Sequence, residues 1–274
     1  MSLIVNNNPA SIAAQRNLTV NTNQLQRSVE RLSSGLRITR AADDAAGLGV
    51  SETLRAHIRS INQATRNAND GISLTQIADG GAAVVGNLLA RLRELSSQSS
   101  SGTVGSTERS YLDQEFVALR SEIDRIATVT EFNGQPLLSG ANNSFSVFIG
   151  FKSGTGNALA VNLGDLDLTS IGLASVNIST SANAQSALAN IDSAISAVAT
   201  ARANFGSIQN RFEAAISNLQ VTSENFVAAE SRIRDADIAY ETSQFTKNQV
   251  LVQSGISVLA QANALPQQAL ALLR

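Results

Sequence analysis

The sequence has no cysteine and no tryptophan, one methionine at position 1, one histidine (His57) and three prolines, Pro9, Pro136 and Pro266. Without thiols, disulfides, iron–sulfur clusters and Cys/His zinc sites are excluded, and a histidine-based triad nearly so. The lack of cysteine does not place the protein in the cytosol, because it equally suits a chain exported unfolded. Aromatic residues make up 4% of a chain that is 43% hydrophobic. The apolar mass is therefore Ala, Leu, Ile and Val, which favours thin helix-on-helix seams. Twenty basic residues against 22 acidic ones leave a net charge of -2, a poor balance for neutralising a phosphate backbone. The opening stretch 1–17 lacks the basic start and apolar run of a cleavable secretory signal. From Asn248 to Leu273 no residue is charged, a length that can span a bilayer. Gln253, Ser254, Ser257, Gln261, Asn263, Gln267 and Gln268 interrupt it, so no transmembrane helix is expected.

Two stretches, 10–135 and 137–265, run without proline, which permits long helices in both halves. In the first, Leu18, Thr22, Leu25, Val29, Leu32 and Leu36 follow alternating four- and three-residue steps, a coiled-coil seam. Gly35 and the run 41–49 mark a break. A second helix is expected from about 45 to 97, with His57, Ile61, Ala64, Ala68, Gly71, Thr75, Ala78, Ala82, Val85, Leu89 and Leu92 on one seam. At about 1.5 Å per residue it would be roughly 80 Å long. Its small seam residues imply close helix approach. After a Ser/Gly loop (99–106), a third helix carries Leu112, Phe116, Leu119, Ile123 and Ile126. Alternating Phe145, Val147, Ile149 and Phe151, a turn at 152–157, and alternating Leu159, Val161 and Leu163 read as a β-hairpin. Residues 165–180 read as connecting turns. The last third is helical. Leu188, Ile191, Ile195, Val198, Phe205, Phe212, Ile216, Leu219 and Phe226 hold one register, which polar Arg202, Gln209 and Ser223 interrupt. A polar joint at 231–241 precedes a terminal helix bearing Leu251, Val252, Val258, Leu259, Leu265, Leu270 and Leu272. The fold class is mainly α: a long antiparallel helical bundle or coiled coil with one small β-hairpin region.

No catalytic constellation stands out. Asp43 and Asp44 are adjacent, but neighbours at i and i+1 on a helix point apart, and a helix cap is the simpler reading. Glu122 and Asp124 lie beside Arg125 as solvated pairs. His57 lies on the seam with no second histidine to complete a site. There is no H-E-x-x-H, no Walker loop and no G-x-G-x-x-G after a strand. No metal and no cofactor are expected. The informative feature is the terminal helices, whose apolar faces are too wide for one partner. On the last, Gln253, Ser257, Gln261 and Gln268 recur every few residues opposite the main apolar stripe. That gives one dry face, whose burial calls for other copies of the chain, and one uncharged amide face suited to a wet, narrow interior.

At these same residues the sequence resembles bacterial flagellin. The resemblance lies in NNNPASIAAQRNL (6–18), LSSGLRITRAADDAAGLGVSE (32–52), ANDGISLTQIADG (68–80), RLRELSSQSS (91–100), EIDRI (122–126), EFNGQPLLSG (131–140) and the long block 232–273. It implies a subunit exported unfolded by the flagellar type III apparatus, which polymerises beneath a cap into a hollow helical filament. Residues 1–42 and 236–274 would pair as the inner coiled-coil domain. Its self-assembly residues would be Leu18, Leu25, Val29, Leu32, Leu251, Val258, Leu259 and Leu265, with Gln253, Ser257, Gln261 and Gln268 lining the channel. Residues 43–235 would form the outer-core bundle, with the hairpin at about 144–164. The short stretch after LLSG (137–140) leaves no room for an outer variable domain, so the form is minimal.

The resemblance also implies partners: the filament cap, hook–filament junction proteins, an export chaperone at the C-terminal helices, and the innate-immune Toll-like receptor 5. The receptor epitope would map to Arg91, Leu95 and Glu115, with Leu95 as an exposed anchor. Ala90, Ser96 and Ser97 depart from the family's receptor-activating pattern. A hook–filament junction protein is the alternative within the superfamily, but LAQANALPQ (259–267) and DADIAYE (235–241) look like filament subunit. An enzyme-bearing flagellin is the alternative of another class, and it lacks both the central insert and a metal motif here.

Overall fold

The structure, a computed structural model, describes residues 7–140 and 144–271, with the backbone alone for Thr155 and 265–271. Five α-helices carry the described chain: α1 (Pro9–Ser34), α2 (Ala45–Ser100), α3 (Ser106–Val129), α4 (Ser181–Arg234) and α5 (Ile238–Ala271). Two antiparallel hairpins lie between α3 and α4. The first pairs β1 (Glu131–Phe132) with β2 (Gln135–Pro136), and the second pairs β3 (Ser144–Phe148) with β4 (Ala158–Asn162).

The chain divides into two compact units, Met1–Ala56 with Asn225–Arg274, and His57–Glu224. These limits fall inside α2 and α4, beyond the expected boundaries at 42/43 and 235/236. The reason is a set of polar contacts that binds the first turns of α2 to the end of α4. Arg234 donates to Glu52 at 2.6 Å, and Arg55 pairs with Glu230 at 3.4 Å. The joint before α5 is also shorter than expected, since α4 stays helical to Arg234 and only 235–237 break it.

In the first unit α1 and α5 pack antiparallel. Asn8 donates to the Ala262 carbonyl at 2.7 Å, Ser11 to Asn263 at 2.7 Å, and Arg31 meets Glu241 at 3.7 Å. Asn8 caps α1 by accepting from the Ser11 N–H, with Pro9 just inside the helix. Gly35 ends it at φ 70°, a left-handed cap that favours glycine. The buried side of α1 shares Leu18, Leu25 and Leu32 with the expected seam, but the positions between them are Asn21 and Ser28, not Thr22 and Val29. Ser28 is 4% exposed and Val29 47%. On α5 the seam runs through Glu241, Phe245, Asn248, Val252, Gly255, Leu259 and Ala262. A Cβ on Gly255 would lie 3.3 Å from Leu18, so the backbones approach closely there.

The second unit holds the core. The α2 seam from Ile61 to Leu92 is buried as the spacing predicts, and it continues through Leu95, Ser96 and Ser99. Facing it on α4 are Ile191, Val198, Phe205, Phe212 and Leu219, interleaved with Ala187, Ala194, Ala201 and Ile208. The expected interleaving residues Leu188 and Ile195 are only half-buried, and Arg202 points out to Asp79 at 2.7 Å. Close approach selects alanine over leucine on this seam. The β3–β4 hairpin has the expected place, and its register sets Ser144 opposite Asn162. The connection 165–180 does more than join. It buries Leu166, Ile171, Leu173, Val176 and Ile178, and its Ile178 N–H donates to Asp113 at 2.8 Å.

Candidate self-assembly surfaces

The joint residues are occupied in holding the backbone. Asp43 accepts from the N–H groups of Thr39 and Arg40 at 3.2 and 3.1 Å, and Asp44 accepts from the Gly47 N–H at 2.8 Å. Asp44 thus caps the first turn of α2, as the capping reading has it, while Asp43 ties down the preceding loop at Thr39 and Arg40. The end of α1 and the end of α4 are linked by backbone bonds from Arg37 N–H to the Arg234 carbonyl and from Ala236 N–H to the Gly35 carbonyl, at 2.7 and 2.9 Å. Desolvation pushes the Asp43 carboxyl up, but the Arg40 and Thr39 donors and the Arg31 charge outweigh it and hold it below the ordinary value. Hydrogen bonds from Arg234, then Arg55, lower Glu52 in the same direction. Lowered carboxylates stabilise the fold above their ordinary values, and that contribution is lost as pH falls through the lowered ones. The monomer's melting temperature is therefore expected to drop below about pH 4.5, and Asp43→Asn with Glu52→Gln to flatten the drop. An unchanged pH profile in that variant would count against the joint as the acid-sensitive element.

His57 sits edge-to-face with Phe151 at 5.2 Å between ring centroids, half-buried. Glu122 is paired with Arg125 at 2.6 Å. Among the described residues no group of three or more His, Asp or Glu could hold a metal ion, and no helix is long and apolar enough to cross a membrane.

The exposed apolar side chains concentrate on the helices of the first unit. On α1 they are Ile12, Val20 and Val29, and on α5 Ile238, Val250, Leu251, Ile256 and Val258. Leu251 is 38% and Val258 51% exposed, whereas Leu18, Leu25, Leu32 and Leu259 are half-buried in the α1–α5 pairing. The eight expected assembly residues thus fall into two sets. One closes the intrachain pair, and the other, Val29, Leu251 and Val258, is uncovered. The eighth, Leu265, lies outside the described side chains. At about 100° per residue, Gln253, Ser257 and Gln261 fall on the side of α5 opposite Val252, Gly255 and Leu259, and all three are exposed. Gln268 also lies outside the described side chains.

Arg91 and Glu115 are exposed and ion-paired to each other at 2.8 Å, bridging α2 and α3. Leu95 is not the exposed anchor expected: it is 1% exposed. Extending the α2 seam past Leu92 by three residues lands on it, so the core claims the side chain. Sequence reasoning also missed the β1–β2 hairpin. Its signal was Asn133-Gly134, both at positive φ (52° and 74°), a favoured two-residue hairpin turn.

The architecture defines a helical subunit whose terminal pair leaves apolar faces uncovered while its other unit is well packed. Residues 5–143 match the bacterial flagellin N-terminal helical region, and residues 188–273 the bacterial flagellin C-terminal helical region. The chain is 46% identical to a flagellin of Halalkalibacterium halodurans, covering 99% of this chain and 100% of that one. It is 42% identical to the flagellar filament 30.7 kDa core protein of Treponema maltophilum, over 99% and 100% of the two chains. The crystal structure of Bacillus cereus flagellin superposes with a TM-score of 0.51 at 29% identity, over 60% of this chain and 94% of that one. The chain belongs to the bacterial flagellin family, a structural family, and is a filament subunit.

Proposed function

We propose that α1 and α5 are the inner, self-assembling element of the filament. In this reading they bury Val29, Leu251 and Val258 against neighbouring copies and turn Gln253, Ser257 and Gln261 toward a water-filled interior. The observation that carries it is the division of α5 into a half-buried seam, uncovered apolar flanks and an uncharged amide face opposite the seam. A water-filled channel tolerates amides without holding a charged passenger by ion pairing. The subunit leaves the cell unfolded through the type III apparatus, assisted by an export chaperone at the C-terminal helices. It assembles outside the cell between cap and hook–filament junction proteins, and it has no catalytic activity. Electron microscopy of purified monomer added to filament seeds tests the reading. Elongation into hollow filaments is expected, and monomer that never elongates would overturn it.

Recognition by Toll-like receptor 5 is carried in this proposal by Arg91 and Glu115 alone, since Leu95 lies in the core. Arg91→Ala monomer is expected to lose most of its signal in a receptor reporter assay. An undiminished signal would remove these residues from the epitope.

A further inference from the structure

A cleft of about 410 Å³ lies along the α1–α5 pair of the first unit. Three cations line it, Arg27, Arg31 and Lys247, against one carboxylate, Glu241. Arg31 is shared between Glu241 at 3.7 Å and Asp43 at 3.9 Å, whereas Arg27 and Lys247 have no ion pair among the described residues. The Asn248 side chain also lines the cleft. The residue is only 6% exposed, and the side chain has no hydrogen-bond partner among the described residues. The Asn248 amide is reached from the cleft, so it can pair with an incoming group. Excess positive charge beside an amide donor describes a socket for a carboxylate.

We infer that this cleft receives a carboxylate from a second copy of the chain, supplied by the acidic joint Asp235–Asp237. The inference rests on the filament reading above and adds a specific contact to it. Leu251 lines the cleft and also belongs to the uncovered apolar flank, so the socket is continuous with the surface that other copies must cover. Asp235 and Asp237 are exposed, and neither is in an ion pair among the described residues. Asp237 keeps one oxygen on the Tyr240 N–H at 3.0 Å. Each copy offers one socket and one plug, and a plug seated in the next copy's socket leaves its own socket open to a third. Such a heterologous contact propagates into an open polymer instead of closing a dimer. Like charge placed in the socket would repel the plug, which makes the contact selective for register as well as attractive.

Seeded elongation followed by light scattering tests it, using full-length monomers with wild-type helicity. Arg27→Glu with Lys247→Glu is expected to raise the critical concentration about tenfold or more, and Asp235→Lys likewise. Combining the three substitutions in one chain is expected to restore elongation. A milder pair, Arg27→Gln with Lys247→Gln, keeps the test open if the reversed chain does not fold, and it should raise the critical concentration severalfold. A wild-type critical concentration in either socket variant overturns the inference, and so does loss without recovery in the combined chain. Inorganic phosphate bound through Arg27 and Lys247 in the monomer, with elongation of the variants unaffected, would assign the cleft to a small anion instead. Failure of wild-type monomer to elongate on seeds would overturn the filament reading, a distinct result.

Discussion

Removing residues 250–274 is expected to leave a soluble, mostly helical monomer that does not elongate seeds. The deletion takes away Leu251 and Val258, which the chain itself leaves 38% and 51% exposed. It also removes the partner of the first half of α1. A point variant separates the two effects. Val258→Asp lies on the exposed flank of α5 and not on the seam with α1, so the monomer should melt within about 0.5 kcal/mol of wild type, as surface substitutions do. In the polymer the same carboxylate would be buried unpaired, at a cost of several kcal/mol per copy. Because every copy bears it, elongation should stop outright. Sedimentation after seeding measures this directly, and normal filaments from Val258→Asp would show that this flank is not an interface.

That contrast also explains which parts of the fold the sequence made legible. The α2 seam is buried from Ile61 to Leu92 as its spacing predicts, because one packed interior accounts for these residues. On α1 the apolar spacing chose Val29 over Ser28, and the structure buries Ser28. The pattern on α1 sums two demands, pairing with α5 and an outward apolar face, and periodicity cannot say which residue answers which. On α4 the spacing chose Leu188 and Ile195 over Ala187 and Ala194. Hydrophobicity favours the larger residue, whereas close approach of helix to helix favours the smaller one. The candidate site was readable as chemistry, in the uncharged amides of α5, but not as geometry. The cationic cleft draws Arg27 and Lys247 from opposite ends of the sequence, and only the antiparallel pairing brings them together. Leu95 came in as an anchor through the family resemblance, although the helical seam passes through it and buries it.

Phe212→Ala is expected to be among the most damaging single changes in the second unit. Its ring is 0% exposed and lies over Gly71, where a Cβ would come within 2.5 Å of the ring's Cζ and 2.9 Å of both Cε atoms. Truncation leaves a cavity that two rigid helices cannot collapse to fill, so denaturant unfolding of the monomer should show a loss of about 3–5 kcal/mol. The reverse change tests the same contact from the other side. Gly71→Ala gains about 1 kcal/mol of helix propensity. It forces the ring off its place, however, at about 1–3 kcal/mol of overpacking, and a net destabilisation is expected. The ring atoms that the new methyl meets are absent from leucine. Gly71→Ala with Phe212→Leu should therefore lose less than the sum of the two single changes, by about 0.5 kcal/mol or more. Additivity within about 0.3 kcal/mol would mean that the ring moves aside freely, and that glycine at 71 is not there to admit Phe212.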